Sequence, residues 1–360
     1  MSRVKCFLMS AVFAGVTSQA CAQTAWSADQ ITFSGLVDGY YSFNLNHPES
    51  RHNQLRNFDV SANQFSLNMA KLTAEHSAEP VGFRLDAGFG ETFDAIHNSN
   101  SEFSTVRNIE QAYISLRPAN AKGLQVDLGK FVTSAGAEVI ETHSNWNYSR
   151  SLLFAWAIPY YHMGIRTAVP MGKHFTGGVQ LVNNWNGMGD NNTGKTIGLT
   201  GTLASGPLSW ANNYYVGPEK TGINDGWRHL YATTVLISGS KISAYVNFDY
   251  GADRITGSNT SNVWYGVAGA LRFALTDHIA VAPRMEWFKD RDGFSTGTAQ
   301  TLKEFTLTGE YKWADGVLSR LEYRRDWSDQ PFFDRGAGLA TSRSQDTVLV
   351  GFIACFGFER

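Results

Sequence analysis

A chain of 360 residues with 43% hydrophobic, 13% aromatic and 17% charged side chains is too rich in aromatics and too poor in charge to stay disordered. Thirty Lys and Arg against 32 Asp and Glu leave a formal net charge of −2, which excludes the basic surface that nucleic-acid binding needs. Beyond the N-terminus no apolar run reaches about 18 residues, so no helical membrane span is predicted.

Residues 1–22 read as a secretory signal peptide. Arg3 and Lys5 supply a basic start, Cys6 to Val16 a short apolar core, and Ala20-Cys21-Ala22 a small-residue cleavage site before Gln23. A core this short does not span about 30 Å of hydrocarbon as a helix. Export leaves one cysteine, Cys355, in 23–360, so no intramolecular disulfide is expected. Its place in the alternating run Val348 to Phe358 suits a packed small residue.

From residue 31 onward, runs of about ten residues alternate in polarity with period two, the strand periodicity. Sixteen are predicted in chain order: 31–45, 63–76, 81–92, 108–118, 123–132, 158–169, 174–184, 195–204, 208–216, 227–238, 241–252, 261–275, 277–289, 300–313, 316–328 and 345–358. Seven connections are tight, such as Ala78-Glu79-Pro80, Ser205-Gly206-Pro207 and Ala314-Asp315. The eight that alternate with them are longer and polar, among them 46–62, 93–107, 185–194, 253–260 and 329–344. Tight turns at one end and long loops at the other are the pattern of a transmembrane antiparallel β-barrel of about 16 strands, with periplasmic turns and extracellular loops. A soluble sandwich shows no such regularity.

Parity separates the faces. In 81–89, Val81, Phe83, Leu85, Ala87 and Phe89 oppose Gly82, Arg84, Asp86 and Gly88. In 303–312 and 316–327 the apolar set Phe305, Leu307, Tyr311, Val317, Leu321 and Tyr323 opposes Glu304, Glu310, Lys312, Arg320, Glu322, Arg324 and Asp326. Phe43, Phe89, Tyr250, Trp287 and Trp327 sit beside long loops, and Trp210, Phe273 and Trp313 beside tight turns. Two such levels suit an aromatic girdle at each membrane interface.

A ring of this size encloses a lumen too wide for wall side chains to fill, so a water-filled pore for small polar solutes is expected. Its inward charges are Arg84, Arg117, Arg166, Arg272, Arg284, Lys312, Arg320 and Arg324 against Asp38, Asp86, Asp127, Asp249, Glu286, Glu304, Glu310, Glu322 and Asp326. Near-balance predicts no strong ion selectivity, and Glu310 should face Arg320 across its hairpin. The connection Thr133 to Ala157 carries Glu138, Glu141, His143 and Arg150 and then the apolar Leu152-Leu153-Phe154-Ala155-Trp156. An apolar stretch gains nothing in water, so this loop is expected to fold against the inner wall and constrict the pore; an external loop packed on its neighbours is the competing arrangement. The constriction and lining set is Arg84, Asp86, Glu138, Glu141, His143, Arg166, Arg284, Glu310, Arg320, Glu322 and Arg324.

Specific wording joins the pattern in this region. Gly129-Lys130-Phe131-Val132-Thr133, Gly136-Ala137-Glu138-Val139-Ile140-Glu141 and Asn145-Trp146-Asn147-Tyr148-Ser149-Arg150-Ser151 resemble the putative β-barrel porin-2 family, an outer-membrane-protein-L-like group of Gram-negative porins. Asn63 to Asn68, Pro80 to Arg84, Asn108 to Tyr113 and Asn183 to Asn186 extend the likeness over most of 31–200, whereas the second half agrees in pattern more than in wording. The resemblance implies an outer-membrane β-barrel with a pore role and supplies no substrate. Its partners would be outer-membrane lipid, small polar solutes and the barrel assembly machinery, with a homotrimer as the oligomer to consider and no nucleic acid. One departure is the ending Phe356-Gly357-Phe358-Glu359-Arg360, where outer-membrane barrels commonly finish on an aromatic residue.

Signals for catalysis are weak. No HExxH, P-loop or GxSxG occurs, and nine histidines are scattered without ligand spacing, so no cofactor and no metal is expected. His143-Ser144 are neighbours whose side chains would diverge on a strand. Asp290-Arg291-Asp292-Gly293 and Gly189-Asp190-Asn191-Asn192 suit either a loop Ca²⁺ or ordinary turn chemistry. A non-conducting barrel with a surface binding or structural role is the alternative to a pore.

Overall fold

Alternation of this kind has one structural solution when both faces of a sheet meet different solvents, which is closure. The computed structural model describes residues 31–77, 79–97 and 104–357; residues 1–22, expected as a signal peptide, and Phe358-Glu359-Arg360 lie outside them. The strands are β1 (Thr32–Asn44), β2 (Phe65–His76), β3 (Val81–Phe89), β4 (Ile109–Leu116), β5 (Gln125–Val132), β6 (Tyr161–Met171), β7 (Phe175–Val182) and β8 (Thr196–Ser205). They continue as β9 (Leu208–Gly217), β10 (Arg228–Ile237), β11 (Ile242–Arg254), β12 (Ser261–Ala274), β13 (Ile279–Asp290), β14 (Gln300–Ala314), β15 (Val317–Ser328), β16 (Phe333–Arg335), β17 (Gly338–Ser342) and β18 (Ser344–Phe356). β1 to β15 and β18 form a closed barrel of antiparallel neighbours, and β16 and β17 form a separate hairpin. Closure is made by β1 on β18, in register from Gly35↔Phe356 to Asn44↔Thr347.

All sixteen predicted runs overlap a barrel strand, and the differences sit at the long connections. The third run was expected to continue to residue 92. β3 instead stops at Phe89, Gly90 adopts φ +122, and a short helix α1 (Glu91–His97) follows with Phe93 and Ile96 buried. The stretch 329–344, expected as a plain loop, contains the β16–β17 hairpin. At the opposite end the turns stay tight. Gly316 takes φ +79 between β14 and β15, and a Cβ there would stand 2.0 Å from the Cys355 carbonyl oxygen, so only glycine fits.

Exposure follows parity. Leu307, Tyr311, Val317, Leu321, Tyr323, Val350 and Phe352 are exposed on the outer face, whereas Glu304, Glu322, Arg324 and Asp326 are buried on the inner one. A sheet whose charges are hidden inside and whose leucines are bare outside is inverted relative to a soluble barrel, and lipid is the solvent that removes the cost of the bare leucines. The girdle residues Phe43, Phe89, Tyr250, Trp210 and Trp313 are exposed, and Trp287, Phe273 and Trp327 are partly so.

Candidate functional site

The lumen is where sequence and structure differ most. Its centre holds a hydrophobic cluster supplied by three inward segments: the first connection through Leu55 and Phe58, α1 through Phe93 and Ile96, and the connection 133–160 through Ile140, Tyr148, Leu152, Leu153, Phe154 and Tyr160. Beside 133–157, two further segments that the sequence reading left outside, the first connection and α1, fill the lumen. The first connection looked polar, yet Leu55 and Phe58 turn in, and Phe58 packs on Phe154 and Tyr160 with ring centroids 5.8 and 5.6 Å apart. Burying these rings stabilises the inward course of both segments by roughly 1.5–3 kcal/mol per large side chain.

Three arginines, one on β13 and two on β15, hold the 133–160 connection. Arg284 on β13 donates to Glu138 Oε1 at 2.7 Å and to the Ser149 carbonyl at 2.8 Å. Arg320 on β15 donates to the carbonyls of Thr142 at 2.8 Å and Asn147 at 3.0 Å, and to Glu310 at 2.9 Å. The Glu310–Arg320 pair follows from direct register between β14 and β15. Arg324 reaches the Arg150 carbonyl and also pairs with Asp326 at 2.8 Å. Carboxylates complete the clamp from the same wall: Glu322 accepts the backbone N–H of Tyr148 at 2.6 Å and of Ser149 at 3.0 Å, and Glu286 accepts Leu152 N–H at 2.9 Å. Ser151 caps the short helix α2 (Leu152–Trp156) by accepting the Phe154 N–H at 3.0 Å. Every orphan N–H of the helix start thus meets an oxygen, which lets irregular backbone lie inside the barrel.

Small wall residues make room for this filling. A Cβ on Gly351 of β18 would stand 2.4 Å from the Tyr148 ring, and one on Gly251 of β11 would stand 2.0 Å from Trp264. Tyr148 lies flat against the wall, its hydroxyl donating to Asp38 at 3.1 Å, and Trp264 donates its indole N–H to the Ala157 carbonyl at 3.0 Å.

Across from the clamp, Asp86 and Glu141 converge with Glu110 around the Lys71 ammonium, 2.7 Å from Glu110 and 3.6 Å from Asp86, with Glu141 also in contact. These three carboxylates could gather round a cation, and the lysine stands in that position. Arg84 bridges Asp86 and Glu75 at 3.1 Å each, and Arg166 pairs with Asp127 at 2.8 Å. Both arginine side chains keep about a quarter of their surface exposed, and Arg117 is exposed. Eight of the nine inward carboxylates, all but Glu310, are by contrast buried. An even count by sequence is uneven by exposure.

Toward the tight turns a cavity of about 980 Å³ opens below the loop, lined by His143, Trp146, Arg272, Lys312, Glu310 and Arg320 among others. His143 and Ser144 do not diverge as expected. They share a 3-10 turn (Thr142–Ser144), not a strand, and the Ser144 hydroxyl lies 3.2 Å from His143 Nε2. Glu141, the nearest carboxylate in sequence, gives its oxygen to Lys71. Of the two acidic loops, Asp290 accepts the N–H groups of Phe294, Ser295 and Thr296 at 2.7–3.0 Å, and Asp190 that of Asn192 at 3.1 Å, both by turn chemistry.

Sequence reasoning gave no site role to Lys71, Glu110, Arg56 or Tyr148, although Glu110 and Tyr148 stand in the stretches it singled out. Lys71 alternates with Thr73 and Glu75 and was legible by parity. Arg56, which ties the first connection to Asp326 at 2.9 Å and to Asp59 at 2.6 Å, carries no pattern that marks it.

Among the outer connections, Glu219 makes a contact that titrates near neutrality. Glu219, between β9 and β10, accepts Trp185 N–H at 2.9 Å and the Thr196 hydroxyl, with Arg228, Asp253 and Lys220 nearby. Burial raises its carboxyl to about 7 from 4.5, although Arg228 opposes the shift. Between those values the packed state keeps a proton that the released state gives up. Docking of 183–195 on 218–227 is therefore strongest below pH 4.5 and weakens as pH rises through about 7. Trp185 emission followed against pH should show this loosening, and Glu219→Gln should flatten the curve.

Comparison with known proteins agrees with this architecture. The anion-selective porin of Comamonas acidovorans superimposes with a TM-score of 0.62 at 13% identity, covering 91% of this chain and 99% of that one. The outer membrane channel DcaP of Acinetobacter baumannii gives 0.60 at 12%, over 92% and 99%. Vibrio cholerae OmpT in a trimer form gives 0.59 at 11%, over 91% and 99%. These identities establish a shared fold. No curated protein matches the sequence significantly. The profile described as "Putative beta-barrel porin-2, OmpL-like" matches residues 30–356, which is nearly the whole barrel, and this outer-membrane chain belongs to that porin family.

Proposed function

We propose that the barrel is a channel for passive diffusion of small hydrophilic solutes, narrowed by the connection 133–160. The observation that carries this reading is the hydrated wall opposite the arginine clamp of that connection, which also touches Lys71 on β2 and Asn213 on β9. Arg284, Arg320 and Arg324 bind it to the β13–β15 wall, while Arg84, Arg117 and Arg166 on the β3–β6 wall remain in contact with water. Hydrated guanidinium groups and a polar vestibule of about 980 Å³ suit solutes that keep their hydration shells. Solved neighbours described as an anion-selective porin and as an outer membrane channel use the same ring of strands. In this reading Arg84, Arg166, Glu141, His143 and Glu310 border the path, and buried Asp86 holds Arg84 beside it. Glu138, Arg284, Arg320, Glu322 and Arg324 position the loop beside it. Residues 1–22 act as the export signal, the barrel assembly machinery inserts 23–360, and three copies associate in the membrane. No catalytic step, metal or cofactor takes part.

A second reading, a non-conducting barrel with a surface role, is favoured by the apolar cluster of Phe58, Phe154 and Tyr160 where two loops meet inside the ring. Single-channel recording in planar bilayers separates the two. Steady ohmic steps from protein with heat-modifiable gel mobility are expected, and their absence from such protein would refute the channel.

A further inference from the structure

The outer face carries a feature that lipid solvation of a smooth barrel does not explain. Near the long-loop end of β12 to β15 a groove of about 960 Å³ opens on the outward side, with Val267 and Gly269 as its floor and Met285, Trp287 and Trp327 as its flanks. The outward position at Gly269 is empty: a Cβ there would meet only the Tyr245 carbonyl oxygen, at 3.7 Å. Lys303 stands in the middle, directly between Trp287 and Trp327 by strand register, and three residues in from the start of β14.

Three cations share this face, and two have a polar partner. Lys289 donates to Thr301 at 2.9 Å, and Arg325 pairs with Asp346 at 3.5 Å while lying over the Trp327 ring. The Asp329 carboxylate at the rim accepts the Thr301 N–H at 2.8 Å. Lys303 is exposed and makes no hydrogen bond or ion pair with any described residue. An unmatched ammonium beside an apolar trough, at the level of the outer-leaflet headgroups, calls for a ligand with an anionic head and a hydrocarbon tail. A second copy of the chain fits less well, because sealing Lys303 into a protein contact would bury an unpaired charge.

We propose that this groove binds one phosphorylated, multiply acylated lipid of the outer leaflet, with an acyl chain over Gly269 and a phosphate on Lys303. Whether the lumen conducts has no bearing on it. The test is native mass spectrometry of the purified full barrel titrated with diphosphorylated lipid A, with dephosphorylated lipid A and phosphatidylethanolamine as comparison probes. The wild type should retain one diphosphorylated molecule in preference to either comparison lipid. Lys303→Gln should weaken retention about tenfold, the order expected for one charge-assisted contact. Gly269→Leu should weaken retention of both lipid A forms by filling the floor, and Lys241→Gln at the opposite end should change nothing. Heat-modifiable mobility confirms that each variant is folded. Equal retention by wild type, Lys303→Gln and Gly269→Leu would overturn the proposal. So would a shift of the two groove variants in oligomer mass without a change in bound lipid.

Discussion

Gly351→Leu is expected to push the 133–160 connection off the wall and raise single-channel conductance severalfold. The inward face of β18 is flat at this residue because Tyr148 lies across it, and an added Cβ would meet the ring at 2.4 Å, where no side chain fits. Tyr148 is fully buried and holds the loop at three points: its hydroxyl on Asp38, its N–H on Glu322 and its ring 5.7 Å from Tyr40. Evicting a buried aromatic of this size costs roughly 3–5 kcal/mol, whereas overpacking absorbed without movement costs about 1–3 kcal/mol. The eviction is possible without unfolding because a cavity of about 980 Å³ lies below the loop, while the strands keep their own hydrogen bonds. Gly309→Leu is the control. Gly309 is exposed, on the outward parity of β14, and has only the Leu321 carbonyl oxygen near, at 3.9 Å, so its conductance should equal the wild type. Unchanged conductance in Gly351→Leu, with the loop still protected from hydrogen exchange, would show that this connection does not set the passage.

Arg284→Met should release the same loop by electrostatics. The guanidinium is fully buried among Glu138 at 2.7 Å, Glu304 at 3.3 Å and Glu286 at 3.4 Å. Removing it leaves three carboxylates with only Arg324, 3.6 Å from Glu304, as a neighbouring cation, a loss of about 3–5 kcal/mol for the buried arrangement. The expected result is rapid hydrogen exchange over 138–151 and a lower denaturant midpoint. Arg284→Met with Glu304→Gln should recover part of the loss by removing one of the repelling charges. Arg107→Met gives the contrast, since that exposed pair with Asp94 at 3.0 Å lies in the range of about 0–1 kcal/mol. Equal effects of the two single changes would mean that water already reaches Arg284.

The outward half of the molecule was legible because it is local. A strand alternates with period two whatever lies beyond its neighbours, so counting alternating runs located every barrel strand. The regular exchange of tight turns and long connections showed which end each belonged to. Glu310 opposite Arg320 followed from counting back from the Ala314-Asp315 turn. Leu152-Leu153-Phe154-Ala155-Trp156 pointed to an inward course for the same reason that any apolar stretch avoids water, and the structure sets that stretch among buried residues. Parity also listed the inward charges, but it could not weigh them. Eight carboxylates that look like pore lining are instead consumed by buried partners: Glu322 and Glu286 by loop N–H groups, Asp326 by Arg56 and Arg324.

The sequence by itself determined a sixteen-stranded ring with a greasy exterior, charged interior positions and two aromatic levels, because each of those rests on contacts a few residues away or one strand across. What fills the ring was decided only by the tertiary structure. Leu55, Phe58, α1 and Tyr148 converge from connections far apart in the chain, and they meet at glycines whose emptiness is visible only against the ring that occupies it. Burial inside a barrel is a property of the closed surface, so no window of sequence contains it.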